Sequence, residues 1–539
     1  MLRWPDATLY GGVAEVAEAR PTATALVADG RAWSYEALLA ESRALAGGLD
    51  RIGVGPGDAV TIWLGNRPEW ITAQLAASYL GAAAVAANTR YGTHELEHLL
   101  TDSGSRVLLV ESTFLDREYL ESVAELAPSV RESSPDEFDP GGLPDLEEVI
   151  ALESREEFPA VRAYDDVVEA GADVSRRPAT DPEAPACIFY TSGTTGDPKG
   201  CPQTNRSLLN HAHAVGEFFD LSTGDVVLGA LPFPGVWGHN VWVSALVHGV
   251  PLVVQRHFDP GETVRLVEEH GVTYFSGLAT MYERLVDHET FASERVESLR
   301  CGAVGFLGRG FDEATFDRIE DAVGFPLVQP YGLSEANSQV FVGDPEDPRE
   351  QRYRVGGPLV HPEEEDATVV DPETGEELPP GERGELRLRG YNVVDGYLRR
   401  PDATAEDFEG EWLKTGDLAS RDGEGRFFFE ARLDDALRVR GFLVSPREIE
   451  TVLDELAGVE RSQVVGAPHP RHGHVPVAFV KRDGDVDAAT LRSAMADRVA
   501  DYKVPEAVEF VDAFPRSAGP HGEKIQKARL RERVADRYK

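Results

Sequence analysis

The sequence predicts an α/β protein of several domains closed by a small α+β unit, and three observations carry that prediction. The 539 residues exceed what one hydrophobic core supports. Apolar runs of strand length alternate with segments of helical period through most of the chain. Beyond about Val355 short strands flank Pro/Gly turns, giving a β-rich subdomain, and beyond Pro446 helices and strands follow in a small α+β unit.

Taken in order, "SYEALLAESRALAGGL" sets Tyr35, Leu38, Leu39, Ser42, Leu45, Ala46 and Leu49 on one helical face, and "DAVTIWLGN" follows as a buried strand. The apolar run 73–87, interrupted by Gln74, Ser78 and Gly81, is too short to span a bilayer and predicts a buried helix running into a strand. Between residues 115 and 185 the chain is rich in Asp, Glu and Pro, which predicts a solvated peripheral excursion. "ACIFY" is then a strand, the Gly/Thr segment a loop, and "NRSLLNHAHAVGEFF" an amphipathic helix. Strand, loop, helix is where an α/β protein exposes ligand-binding backbone. "DATVVDPETGEELPPGERGELRLRG" is two strands around a turn, and "GEGRFFFEARL" is a third strand. The last unit is helix "PREIETVLDEL", strands "RSQVVGA" and "VPVAFVKRD", and helix "AATLRSAMADRVADY". The polar segment 432–442 marks the expected domain boundary.

Composition narrows the function. The net charge is −41, and of 53 basic residues seven are lysine and the other 46 arginine. An acidic, lysine-poor surface repels itself in dilute buffer, whereas at molar salt the screening length shrinks to roughly 3 Å. The expectation is a soluble protein of a high-salt cytoplasm, the alternative an acidic mesophilic one. Such a surface excludes nucleic acid, which needs a basic stripe. Three cysteines without paired spacing fit a reducing compartment and exclude a disulfide framework or a cysteine-based zinc site. The opening "MLRWPDATLYGG" lacks the apolar core of a signal peptide, so neither export nor a membrane partner is expected.

"CIFYTSGTTGDPKGCPQTN" packs glycines, threonines, a serine and Lys199 behind an apolar run, which points to phosphate. It is not the G-x-x-x-x-G-K-[ST] loop: counting from Gly193, the second glycine falls on Pro198, and Lys199 precedes Gly200.

Five segments in order, "YTSGTTGDPKG", "QPYGLSE", "LKTGDL", "ARLDDALRVRGFLVSPREIE" and "FPRSAGPHGEKIQKARLR", resemble motifs of the adenylate-forming enzymes: acyl-CoA synthetases, carrier-protein adenylation domains and luciferases. The likeness covers essentially the whole chain. It implies a large N-terminal domain, 1–431, of two αβ-layered subdomains plus the β-rich subdomain 355–431, and a small mobile C-terminal domain, 432–539. It also implies the chemistry. A carboxylic acid and Mg-ATP give an acyl-adenylate and pyrophosphate, and CoA then takes the acyl group and releases AMP. Two anions must meet, so Mg²⁺, lysine and oriented backbone dipoles are needed on the phosphates.

By the same resemblance, Thr191, Ser192, Gly193, Thr194, Thr195, Gly196 and Lys199 cradle the β- and γ-phosphates. Gly305, Gln329, Tyr331 and Gly332 border the nucleotide, with Tyr331 against adenine and Ser334 near the α-phosphate. Glu335 and Thr191 hold Mg²⁺, Asp417 accepts the ribose hydroxyls, and Arg432 reaches phosphate or ribose. Asp434 is the hinge, and Arg440 and Gly441 lie at the CoA tunnel. Lys524 bridges the attacking carboxylate and the α-phosphate; Glu335 and Ser334 complete the catalytic set.

Three departures stand out. "GEK" replaces the usual Gly-Lys after a longer turn, which keeps Lys527 as a competitor to Lys524. Pro234-Gly235 stands where an aromatic-histidine pair is common, with His239 four positions on. "GFL" stands in place of "GGA". Trp237, His239, Phe306 and Leu333 thereby become acyl-pocket candidates, and bulky Phe306 implies a short or flat pocket. A carrier-protein pantetheine as acceptor is the first alternative, and a non-catalytic nucleotide-binding homologue the second. Monomer and homodimer both remain open.

Overall fold

The computed structural model describes residues 1–153, 156–191, 198–305, 313–439, 442–469, 473–496, 498–519, 522–535 and 537. Its large part is built on two mostly parallel sheets. The seven-stranded one runs in the order Gly200–Thr204, Pro185–Tyr190, Ala83–Ala86, Ala59–Trp63, Ser105–Val110, Glu148–Ala151 and Arg162–Ala163, with only the first pair antiparallel. The five-stranded one runs Tyr274–Phe275, Val227–Gly229, Leu252–Val254, Thr24–Ala28 and Arg31–Ser34.

Helices fill the space between the sheets, as their sequences require. Pro68–Leu80 packs on Ala83–Ala86 and Pro185–Tyr190, while Val236–His248 packs on Val227–Gly229 and Leu252–Val254. Both helices are apolar nearly all round, the mark of a helix buried on every side. They meet through Trp70, whose ring lies edge-on to Trp242 at 6.0 Å. The helix Tyr35–Ile52 starts at Ser34, whose hydroxyl accepts from the Ala37 N–H, and buries all seven residues predicted for its face.

The stretch 115–185 departs from the predicted excursion. Glu148–Ala151 and Arg162–Ala163 extend the seven-stranded sheet, and Tyr119, Leu120, Val123, Leu143, Leu146, Val149 and Phe158 form its second core with Trp63 and Leu108. The acidic residues misled because they sit between sparse apolar positions, which build that core and, through Ile150, Tyr164 and Val167, also reach the main one.

The β-rich subdomain is a six-stranded antiparallel sheet. Gly356–Gly357, Phe427–Arg432, Trp412–Arg421, Arg383–Gly390 and Glu365–Val370 pair in that order, with Phe408–Glu409 beside Trp412–Arg421. The C-terminal sheet is separate: Phe442–Val444, Leu437–Val439, Gly473–Arg482 and Val459–His469 in order, with Ala507–Phe510 beside Gly473–Arg482. Its strand Leu437–Val439 lies inside the segment read as a polar boundary, because Leu437 and Val439 face the core of this unit. The helix predicted over "AATLRSAMADRVADY" spans only Ala488–Ala496; Asp497 is outside the described residues, and Asp501–Lys503 forms a 3₁₀ turn. No described helix is long and apolar enough to cross a membrane.

Candidate active site

The strand Pro185–Tyr190 and its antiparallel partner Gly200–Thr204 bracket the Gly/Thr loop. The loop is pinched at its base, where the Thr191 N–H donates to the Lys199 carbonyl at 3.0 Å. Ser192, Gly193, Thr194, Thr195 and Gly196 lie outside the described residues. Lys199 itself is fixed. Its Nζ donates to Asp407 Oδ2 at 2.8 Å and sits 4.2 Å from the centroid of the Tyr397 ring.

The Tyr397 hydroxyl lies between two carboxylates, 3.1 Å from Glu335 Oε1 and 3.0 Å from Asp407 Oδ2. Burial pushes the Glu335 carboxyl up, opposed by its hydrogen bonds and by the Arg432 and Lys199 charges. Glu335 belongs to a 3₁₀ turn, Ser334–Ala336, whose Ser334 carbonyl accepts from Gln203 Nε2 at 2.8 Å. The next two residues, Asn337 and Ser338, take left-handed φ of 53° and 84°. Two consecutive non-glycine residues in that region cost of order 1–3 kcal/mol each, a strain typical of ligand sites.

The neighbouring strand Tyr331–Leu333 presents Tyr331, whose ring stacks with Phe341 at 5.6 Å and with Phe429 at 5.7 Å. Its hydroxyl donates to Asp417 Oδ2 at 2.7 Å. Arg432, paired with Asp417 across the sheet, donates to the other oxygen at 2.8 Å. Burial pushes the Asp417 carboxyl up, and the Arg432 guanidinium works against that rise. Gln329 Nε2 donates to the Tyr353 carbonyl, which holds the approach to Tyr331, and Leu333 is half-buried against the same cluster as Tyr331.

One helix, Val236–His248, carries two of the acyl-pocket candidates. Trp237 lies against Gly305, where a Cβ would come within 2.2 Å of the indole ring. His239 is fully buried, edge-on to Phe189 at 5.2 Å, Trp70 at 5.7 Å and Trp242 at 4.6 Å. Neither of its nitrogens meets a hydrogen-bond partner among the described residues, and burial holds its pKa down to about 3. Phe306 lies outside the described residues.

Thus the Lys199–Asp407–Tyr397–Glu335 and Tyr331–Asp417–Arg432 clusters lie near one another, since the Lys199 and Arg432 charges both act on Glu335. Asp434 sits apart in the 3₁₀ turn Leu433–Asp435, where its carbonyl accepts from Arg531 at 2.9 Å. Lys524 falls in the ribbon strand Gly522–Ile525, opposite Ser517; its side chain, like Arg440 and Gly441, lies outside what is described. Lys527 Nζ donates to Glu450 Oε1 at 2.7 Å. Sequence inspection missed Tyr397 and Asp407. They come from "DGYLRRPDATAEDF", a plain-looking stretch whose only hint is an aromatic beside Gly396.

A buried aromatic cluster ending in a carboxylate, with Lys199 and Glu335 held beside Tyr397, fits a nucleotide-dependent enzyme. The AMP-binding enzyme family matches residues 13–398, and the AMP-binding enzyme C-terminal domain matches residues 448–519; the chain belongs to this family. Among curated proteins it is 31% identical over 538 residues to a putative acyl-CoA synthetase, YngI, of Bacillus subtilis, covering 97% of this chain and 96% of that one. It is 34% identical over 520 residues to a feruloyl-CoA synthase of Amycolatopsis sp, covering 95% and 96%. Among solved structures, ATP-bound MatB from Rhodopseudomonas palustris matches with a TM-score of 0.82 at 26% identity, covering 99% of this chain and 100% of that one. The o-succinylbenzoate CoA synthetase MenE from Bacillus subtilis matches in complex with its acyl-adenylate intermediate, with a TM-score of 0.77 at 28% identity, covering 98% of both chains. The same enzyme in complex with ATP and a magnesium ion gives 0.77 at 28%, covering 97% and 98%.

Proposed function

We propose that this chain activates a carboxylic acid with ATP to an acyl-adenylate, releasing pyrophosphate, and then transfers the acyl group to CoA with release of AMP. The observation that carries it is the Tyr331–Asp417–Arg432 cluster, an aromatic face ending in a buried carboxylate, set beside Lys199 and Glu335. Relatives named as CoA ligases support CoA over a carrier protein as acceptor.

Each residue has a task in this scheme. Tyr331, its ring already packed by Phe341 and Phe429, is assigned to the wall of the adenine site, and Asp417 has lone pairs left for ribose hydroxyls. Lys199 leaves Asp407 to meet the outgoing phosphates, and Ser334 donates near the α-phosphate. Glu335, with Thr191, offers hard oxygen ligands suited to Mg²⁺, and the burial that pushes its carboxyl up is what a bound cation would offset. Mg²⁺, when bound, neutralises phosphate charge. Lys524 carries the carboxylate to the α-phosphorus.

The small domain, 432–539, swings about Asp434. The turn at Asp434 joins Phe427–Arg432 to Leu437–Val439, strands of two different sheets, which supports a pivot there. Trp237 against Gly305 supports a short or flat acid rather than a long chain. The −41 charge and seven lysines support a high-salt cytoplasm.

The test is pyrophosphate release across short, branched, aromatic and long acids, in dilute buffer and in molar KCl, with and without CoA. Acid-dependent release with acyl-CoA formed only when CoA is present is expected. Release without any thioester on CoA refutes the acceptor, and equal activity in dilute buffer refutes the salt requirement.

A further inference from the structure

At their C-terminal ends the helices Asn205–Phe218 and Val236–His248 lie side by side, tied by Ser244 Oγ donating to the Ala212 carbonyl at 2.6 Å. His213 and Glu217 are one helical turn apart on the first, so they share a face. His248 is the last residue of the second, about 16 Å along its axis from Trp237 at 1.5 Å per residue. The two imidazoles stack at 4.8 Å with an interplanar angle of 14°.

We propose that His213, Glu217 and His248 form a binding site for a transition-metal divalent cation of the zinc type, stapling the two helices together. His213 Nε2 lies 3.8 Å and His248 Nε2 3.5 Å from Glu217 Oε1, and the three ligand atoms all fall within 4.8 Å of one another. Tetrahedral ligands bound at about 2.0–2.1 Å stand roughly 3.3 Å apart, so two edges of the site are already within half an ångström of that. The third edge, between the two imidazole nitrogens, is within 4.8 Å and closes by a turn of the His213 ring, while Glu217, whose side chain is 65% exposed, leaves an entry path from solvent.

Three features show a built site rather than a chance meeting. His248 Nδ1 donates to the Ser244 carbonyl at 2.9 Å, which directs Nε2 toward Glu217 as metal-binding histidines are usually held. That Nε2 is buried and makes no hydrogen bond to any described residue. Gly216, between the two ligands of the first helix, is where a Cβ would come within 2.2 Å of the His248 ring. A glycine inside a helix costs about 1 kcal/mol relative to alanine, and here it makes the seat for the imidazole. The Trp4 ring closes the outer side, edge-on to His213 at 5.3 Å, and Arg3, over Trp4 at 4.6 Å, is drawn toward Glu15 at 3.9 Å. Two imidazoles and one carboxylate suit zinc and its neighbours and not magnesium, which prefers oxygen.

The test is titration of tag-free, metal-stripped chain with Co²⁺, followed by absorption, and with Zn²⁺, followed by calorimetry and melting, without nucleotide. One equivalent is expected to bind, to raise the melting temperature, and to resist excess Mg²⁺. Even outer-shell changes cost about 10–100-fold in affinity, so Glu217→Gln will weaken binding by at least that. Its exposed side chain keeps the fold intact, and His213→Gln must then act in the same direction. Lack of stoichiometric binding, displacement by Mg²⁺, or unchanged affinity in Glu217→Gln overturns the site. None of these outcomes bears on the ligase activity.

Discussion

The Tyr331 hydroxyl and the Arg432 guanidinium take one oxygen each of Asp417, at 2.7 and 2.8 Å, on a residue only 4% exposed. A carboxylate offers about four lone-pair sites, so two remain for a ribose without displacing either partner. Asp417→Asn keeps the shape but puts an N–H where Arg432 or a hydroxyl must donate. Hydrogen bonds to a charged group are worth about 1.5–3 kcal/mol, so affinity for AMP falls about 10–150-fold. The melting temperature changes little, because Arg432, 57% exposed, regains water when its partner is lost. Calorimetry with AMP and a melting curve check both halves.

Lys199 is engaged before any phosphate arrives. Its ion pair with Asp407 is about a third exposed on both sides, so it is worth at most about 1 kcal/mol. Asp407→Asn releases the ammonium and also relieves the second carboxylate beside Tyr397. ATP binding, measured with a non-hydrolysable analogue, tightens by about two- to fivefold. Weaker binding would show that Asp407 positions Lys199 rather than competing for it.

The helix faces and strands were legible because burial imposes a period, which Tyr35 to Leu49 follow except at Gly47 and Gly48, buried against a neighbouring helix. Residues 115–185 were not, since four-residue strands carry too few apolar positions to outweigh the acidic residues between them. Within the site, Tyr331, Asp417 and Lys199 stand in compact motifs, whereas Tyr397 and Asp407 reach it only because 390–408 folds back over the loop base. There the Leu398 N–H donates to the Gly200 carbonyl at 2.9 Å. A long-range return of this kind leaves no local pattern.

His239 gives the protein an acid-sensitive core. Burial holds it down to about 3 in the fold against 6.5 when exposed. The unfolded chain therefore binds a proton below pH 6.5 that the fold refuses, so the stability present above pH 6.5 is lost as pH falls toward 3. Each unit costs about 1.4 kcal/mol, or about 2 kcal/mol between pH 6.5 and 5. His239→Leu, apolar in an apolar box, removes that slope. Denaturant unfolding at the two pH values, compared with wild type, measures the difference; identical slopes would mean that the ring meets water in solution.

Lys524 and Lys527 are separable by what holds them. Lys527 is committed: its ammonium meets Glu450 at 2.7 Å, with the two side chains only 20% and 13% exposed, and the same carboxylate oxygen accepts the Val464 N–H at 2.7 Å. That pair anchors the last helix, Lys527–Val534, to the small domain's sheet. Lys527→Ala leaves Glu450 half-satisfied, costing about 1–3 kcal/mol of stability. Both half-reactions then fall together, in proportion to the folded fraction. Lys524 stands on a two-stranded ribbon, and in the proposed scheme its removal takes one charge from the adenylation transition state, worth about 10²–10³ in rate. Lys524→Ala therefore loses pyrophosphate release while still converting a supplied acyl-adenylate to acyl-CoA, with an unchanged melting temperature. If Lys527→Ala instead shows that split at full stability, the longer turn before "GEK" has moved the register, and the catalytic lysine is the one three residues later.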